Sequence, residues 1–170
     1  MMIEHRLIEK IVPILKQELD RLNRGGDPDP ILIESAVDFF RTYADRTHHG
    51  KEEDILFREL KKKQLDPDHQ RIMSELENEH VIARATVGGL LESKNKWING
   101  DKESLGRIKE NLSKLVKLYP PHIQKEDKNF FLQTRKYFSD EEMLNLLLES
   151  YEFDRNMIHE KYRKMIEALS

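Results

Sequence analysis

The chain has 170 residues, 38% of them hydrophobic and 36% charged, which suits one compact domain with a single core. Its 29 basic and 32 acidic side chains leave a net charge of −3, so no global electrostatic feature favours nucleic acid as a partner. The absence of cysteine excludes disulfides, thiolate zinc sites, cysteine-ligated iron–sulfur clusters and a cysteine nucleophile.

The first predicted helix has one apolar face with steps of three and four residues. Its members are His5, Ile8, Val12, Leu15, Leu19 and Leu22. Pro13 is expected to kink this helix without ending it, because the pattern continues beyond it. The glycine- and proline-rich stretch 25–30 is the first clear loop.

Two long helices are predicted next, at about 31–63 and about 69–98, separated by the turn at 66–68. Asn99-Gly100 is expected to end the third helix. The stripe of that helix again has steps of three and four and consists of Met73, Leu76, His80, Ala83, Val87 and Leu90.

The fourth predicted helix follows the same rhythm, with Pro120-Pro121 expected to distort it just before His122. Its stripe is Leu105, Ile108, Leu112, Leu115, Tyr119, His122 and Glu126. A capping box at 139–142 opens a fifth helix that runs to about 168. Short loops make successive helices antiparallel. We therefore predict an all-α fold: an up-down antiparallel four-helix bundle over 1–138, and an additional C-terminal helix over 139–170 beside it.

Several residues on these stripes do not suit an apolar core, because a buried carboxylate is costly unless it is paired or binds a metal. His49 and Glu53 lie four residues apart, as do His122 and Glu126. Residues at this spacing share one face of a helix, so each pair can present an imidazole and a carboxylate to one centre.

The same set of residues occurs twice along the chain. His5 precedes the first His/Glu pair and His80 precedes the second, which predicts a pseudo-twofold core built from two helical hairpins. In the simplest arrangement His5 and His49 bind one metal, His80 and His122 bind the other, and two glutamates bridge them. Imidazole and carboxylate donors together suit iron, with manganese or zinc as alternatives.

The order His, HxxxE, His, Hxxx(x)(E/D) resembles that of the hemerythrin-like, HHE cation-binding domains. The stretches EHRLIE (4–9) and HHGKEEDILF (48–57) are especially similar to the prokaryotic members, and the resemblance covers about 2–135. It implies a four-helix bundle with a non-haem di-iron centre. The ligands implied are His5, His49, Glu53, His80, His122 and Glu126.

The sequence departs from the oxygen-carrying members where Leu76 replaces a further histidine, and also at the last carboxylate, where Glu126 in HxxxE is preferred to the aspartate of HxxxxD. Water, Glu77 or Tyr119 could fill the coordination position left open. Asp127 is an alternative to Glu126 as the last carboxylate. His48 is expected to be a bystander. Glu52 is expected to be solvated or paired with Lys51 or Arg58.

The preferred function is binding or sensing of O2 or NO, or iron handling, by a protein that is not an enzyme. The main alternative is a di-iron enzyme acting on peroxide or nitric oxide. A third is a partner-binding helical module with a structural metal, and any protein partner is unknown. No apolar run reaches the ~18–20 residues that span a bilayer, and the N-terminus lacks the apolar segment of a signal peptide. A cytoplasmic protein without a membrane or nucleic-acid partner is therefore expected.

Overall fold

The computed structural model describes residues 2–169, with the side chains of 2–157 and of His159. Within that part of the chain every regular element is helical, which confirms the predicted all-α fold, a four-helix bundle with an additional C-terminal helix. The helices are α1 (Met2–Asn23), α2 (30–60), α3 (Pro67–Ile98), α4 (104–137) and α5 (Asp140–Leu169).

The helix ends follow local side-chain chemistry. Asp29 caps α2, since its carboxylate accepts hydrogen bonds from the backbone N–H groups of Ile31 (3.0 Å) and Leu32 (3.1 Å). Ser139 and Glu142 form the predicted capping box of α5 through reciprocal bonds of 2.9 and 3.2 Å. Gly100 ends α3 with a φ of 96°, a conformation that favours glycine.

The proline pair in α4 does not distort the helix where the sequence predicts it. The α-helical part, Ser104–Lys125, continues through Pro120 and Pro121. Both prolines lie on the exposed face of the helix. The carbonyl groups that lose a hydrogen bond there can be hydrated, so the helix continues.

The irregular turns lie instead at the centre of the bundle. Helix α2 is α-helical over Pro30–Phe39, π-helical over Phe40–His49 and over Glu52–Phe57, and α-helical again over Arg58–Leu60. Gly50 N–H donates to the carbonyl of Asp45, five residues earlier, as a π-helix requires. Helix α4 likewise becomes π-helical over Glu126–Phe130, then α-helical over Phe131–Thr134 and 3-10 helical over Arg135–Tyr137.

The core consists of two separate apolar clusters. The larger one includes Ile8, Leu15, Leu22, Phe40, Ala83, Leu90, Leu112, Leu115 and Ile123. The smaller one contains Leu56, Phe57, Leu60, Met73, Leu76, Phe130 and Phe138. Along α2, α3 and α4 the residues between these clusters are buried histidines and glutamates. The bundle therefore has a polar layer in the middle of its core.

Helix α5 packs against α2. Phe153 fits against Gly50, where an added Cβ would lie 2.8 Å from the phenylalanine ring. Arg58 binds Glu149 through two hydrogen bonds of 2.8 Å, and Lys51 donates to Asp154 at 2.8 Å. Across the described residues, no helix combines the length and the apolar character that crossing a membrane would require.

Candidate metal centre

Five histidines and two glutamates meet in the polar layer, and none of the seven is more than 2% exposed. They come from all four helices of the bundle. His49, His80 and His122 form one group, which we call the three-histidine group. His5, His48, Glu52 and Glu126 form the second, which we call the two-histidine group. Within each group the possible ligand atoms lie within 4.8 Å of one another.

The Glu126 carboxylate lies between the two groups. Its Oε2 is 3.1 Å from His5 Nε2, and its Oε1 is 3.2 Å from His122 Nε2 and 3.7 Å from His80 Nε2. Each oxygen therefore faces a different set of histidine nitrogens. A carboxylate in this position can bridge two cations.

Glu52 is placed in the same way. Its Oε1 is 3.3 Å from His48 Nε2 and its Oε2 is 3.3 Å from His80 Nε2. Because His48 and His80 belong to different groups, this carboxylate also spans both. The two glutamates together connect the three-histidine group to the two-histidine group.

The outward nitrogen of each histidine faces a carboxylate. This contact is a hydrogen bond of 2.6–2.8 Å for four of them and a longer approach of 3.5 Å for His49 and Asp45. The hydrogen-bonded pairs are His5 with Asp127, His48 with Glu4, His80 with Glu53, and His122 with Glu79. Such a bond fixes the imidazole tautomer and leaves Nε2 as the inward lone pair, as is usual for histidines that bind metals.

Each outer carboxylate is in turn held by a cation from the protein. Arg84 donates to Asp45 at 2.6 Å and to Glu53 at 2.8 Å, and Lys125 donates to Glu79 at 2.6 Å. Arg6 binds Asp127, and Lys51 binds Glu4. Four cations thus face the five outer carboxylates, whereas neither Glu52 nor Glu126 has a hydrogen-bond partner within the described part of the chain.

Most of the inner polar atoms lack hydrogen-bond partners; His5 Nε2 and His48 Nε2, which lie 2.7 Å apart, are the exceptions. Both oxygens of Glu52, both oxygens of Glu126 and the Nε2 atoms of His49, His80 and His122 are buried without one. Buried polar groups are almost always satisfied, and an unpaired buried carboxylate is especially costly. Cations bound between these atoms would satisfy them, so the donor set fits a metal.

The pKa values of the histidines in the polar layer depend on the groups that surround each of them. Burial lowers the pKa of His49 to about 4. Burial acts in the same direction on His80, but the carboxylates around it, above all Glu126 and Glu52, outweigh burial and raise its pKa to about 11. Without a metal, a proton on His80 therefore compensates part of the carboxylate charge.

The structure brings together five of the six residues that the sequence suggests, and the exception is Glu53. Its carboxylate lies outside the cluster, is 29% exposed and accepts from His80 Nδ1. The grouping also differs from the simplest arrangement, since His49 lies with His80 and His122 and not with His5. The expected solvation of Glu52 is wrong, since its side chain is fully buried without a hydrogen-bond partner.

Two residues that the sequence reasoning set aside, His48 and Glu52, lie inside the cluster. His48 and Glu52 are four residues apart, as are His49 and Glu53, so the sequence contains the same His/Glu pattern one residue earlier. The π-helical turns of α2 explain the difference. A π-helical turn contains more residues than an α-helical turn. The residues that face the interior of the bundle are therefore shifted by one position relative to a continuous α-helix.

The alternatives suggested by the sequence lie outside the cluster. Asp127, the alternative to Glu126, binds His5 from outside, and Glu77, a candidate for the open coordination position, pairs with Lys61 at 2.6 Å near the surface. Tyr119 is buried, with its ring centre 6.3 Å from that of His122. Leu76 belongs to the smaller apolar cluster. The additional imidazole in this centre comes from His48 on α2.

A four-helix bundle whose four helices together supply a buried cluster of histidines and glutamates defines a class of metal-binding proteins. The family model described as Hemerythrin HHE cation binding domain matches residues 1–134, and the chain belongs to this family. Comparisons with curated proteins and with solved structures give no match.

Proposed function

We propose that the chain binds two metal ions in one dinuclear centre. His49, His80 and His122 hold one ion, His5 and His48 hold the other, and Glu52 and Glu126 bridge them. The observation that carries this proposal is the placement of the two glutamates, each with one oxygen toward each histidine group. A mononuclear site would leave one histidine group and one oxygen of each carboxylate unsatisfied.

Iron is the metal that these donors favour in this fold. Imidazole and carboxylate together suit iron, and di-iron carboxylate centres are built in the cores of four-helix bundles. Manganese and zinc accept the same donors and are the alternatives. The donor count is five for the three-histidine group and four for the two-histidine group, which leaves room for an exogenous ligand.

Binding or sensing of a diatomic molecule, O2 or NO, is the function that the surroundings favour. Ferrous iron supplies the electrons and the open coordination position for such ligands. The protein supplies a cavity of about 190 Å³ that reaches His49 and Tyr119. Phe40, Ala83 and Val87 line its apolar side, and Arg41, Asp45 and Arg84 line its polar side. The apolar side suits a small uncharged ligand.

Catalysis on peroxide or nitric oxide is the second candidate, and Tyr119 favours it. Burial raises the pKa of Tyr119, so its hydroxyl stays protonated. The Tyr119 side chain lines the same cavity as His49, and a protonated hydroxyl is a group that can donate a hydrogen bond or a proton to a ligand.

Anaerobic titration with ferrous iron tests the proposal directly. We expect two equivalents of iron per chain, and a change in the optical spectrum when the loaded protein meets air or NO. Fewer than two equivalents would contradict the dinuclear centre. Two equivalents with an unchanged spectrum would point to a structural metal, and rapid disproportionation of peroxide would favour the enzyme.

Metal binding is also expected to release protons. His80 has a pKa of about 11 in the absence of metal, so it is protonated at pH 7, and it must lose that proton to bind a metal. We expect at least one proton released per chain at pH 7, and an apparent affinity that rises with pH. Calorimetric titrations in buffers of different ionisation enthalpy measure this number.

His69 provides the control for proton release, because it is a buried histidine outside the cluster that bonds to Tyr137. His69→Gln is expected to release the same number of protons as the unmodified chain. An enthalpy of binding that is independent of the buffer would contradict the protonation of His80.

A further inference from the structure

Arg84 connects two outer carboxylates of the centre. It lies on α3 four residues after His80, and its Nε donates to Asp45 Oδ1 at 2.6 Å. Its second terminal nitrogen donates to Glu53 Oε1 at 2.8 Å. Both carboxylates belong to α2, so this one guanidinium group ties α3 to α2 beside the centre.

The two carboxylates are those that face the outward nitrogens of His49 and His80. Glu53 Oε1 accepts from His80 Nδ1 at 2.6 Å, and Asp45 Oδ1 lies 3.5 Å from His49 Nδ1. The two imidazole rings are stacked, with centres 3.9 Å apart and planes 12° apart. His80 is therefore held by a hydrogen bond to a carboxylate that Arg84 binds, whereas His49 only lies beside the second carboxylate, without a hydrogen bond, and stacks on the His80 ring.

The other outer carboxylates are held separately. Glu79, which bonds to His122, is held by Lys125. The two histidines of the other group bond to carboxylates that have cations of their own, Arg6 for His5 and Lys51 for His48. Loss of Arg84 would therefore affect the three-histidine group and spare the two-histidine group.

Asp45 and Glu53 need a cation to stay in place. Their side chains are 28% and 29% exposed, so without Arg84 both can turn toward water. The planar guanidinium group reaches two carboxylates in fixed directions, which the single ammonium group of lysine cannot do.

We propose that Arg84 is a positioning residue for the metal held by His49, His80 and His122, and that it acts through Asp45 and Glu53. The proposal rests on the dinuclear centre put forward above. It predicts that Arg84 sets the affinity of one of the two metal positions and orients two of the five histidines, whether or not a metal is bound.

Ferrous iron titration of Arg84→Gln, under argon, tests the first part. Outer-shell partners change metal affinity by roughly 10–100-fold, so we expect one of the two binding steps to weaken by that factor. The other step is expected to change by less than about threefold, which lies below that outer-shell range. Arg84→Lys is expected to show an intermediate weakening of the same step.

Arg71→Gln is the matched control, because Arg71 lies on the same helix and pairs with Glu75 at the surface, and Lys125 still donates to Glu75 after the change. It is expected to bind iron like the unmodified chain. Thermal melting of the metal-free variants checks that both fold. Equal weakening of both steps in Arg84→Gln, or binding like that of Arg71→Gln, would overturn the proposal.

Nitrogen chemical shifts of the imidazoles in the metal-free protein give a readout that does not need iron. Arg84→Gln is expected to move the signals of His49 and His80 and to leave those of His5 and His48 in place. Unmoved signals would overturn the positioning role. If the unmodified chain binds fewer than two irons while these signals move as expected, the dinuclear centre fails and the orienting role of Arg84 stands.

Discussion

Glu52→Gln is expected to reduce the bound iron from two equivalents per chain to one or fewer. The substitution keeps the shape of the side chain but removes the charge of a carboxylate that faces His48 and His80 at 3.3 Å each. A neutral amide cannot bridge two cations and brings N–H donors close to lone pairs that should bind metal. Anaerobic iron titration followed by elemental analysis of the desalted protein measures the effect.

Glu53→Gln is the matched control at the neighbouring position. Within the described residues, Glu53 accepts hydrogen bonds from the outward nitrogen of His80 and from Arg84, so its loss should leave two equivalents bound with roughly 10–100-fold lower affinity. The opposite ranking, with Glu53→Gln losing an equivalent and Glu52→Gln keeping both, would contradict the proposed bridges. It would restore the ligand assignment that the sequence pattern suggests.

Metal loading is expected to raise the melting temperature by about 8–16 °C. A ligand present at about 1,000 times its Kd stabilises the folded state by about 4 kcal/mol. For a chain of this size each kcal/mol corresponds to about 2–4 °C. Metal binding at the centre is expected to stabilise the fold, because without metal the centre buries two carboxylates that have no hydrogen-bond partners. Circular dichroism at 222 nm with and without ferrous iron measures the shift.

A chelator should reverse this stabilisation, and Glu52→Gln should show a smaller increase on loading. Loading the Arg71→Gln control should raise its melting temperature as much as that of the unmodified chain. A melting temperature that does not change on loading would mean that the metal does not bind to the folded bundle.

The fold could be predicted from the sequence because the apolar stripes have a clear period and the helix ends carry strong local signals. The capping box at Ser139 and the glycine at 100 are both found where the sequence places them. The division into a bundle and a C-terminal extension at 138 stays a prediction.

The composition of the centre could be predicted only in part, because one helix departs from the α-helical period. In the sequence, both His48/Glu52 and His49/Glu53 have the spacing of an inward pair. An α-helix that continues to Leu60 favours the second pair. The π-helical turns over 40–49 and 52–57 instead bury Glu52 and leave Glu53 partly exposed.

The second histidine on α2 was missed for a related reason. His48 was expected to be a bystander because the i, i+4 pattern that continues to Leu56 begins at His49, and the duplicated pattern has one His/Glu pair in each half of the chain. In the structure His48 Nε2 lies 2.7 Å from His5 Nε2, close enough for both to face one cation. The two halves of the chain therefore each contribute two helices to the centre, but they contribute different numbers of histidines.

The residues of the cluster come from all four helices of the bundle, and this has a consequence for folding. His5 on α1 and Asp127 on α4 contact each other across 122 residues of sequence. Contacts between such distant parts of a chain require the closure of long loops, so they form slowly. Neither histidine group exists until α2 and α4 have docked, and the three-histidine group also needs α3. High metal affinity is thus a property of the completed bundle alone, and a partly assembled chain offers only scattered donors.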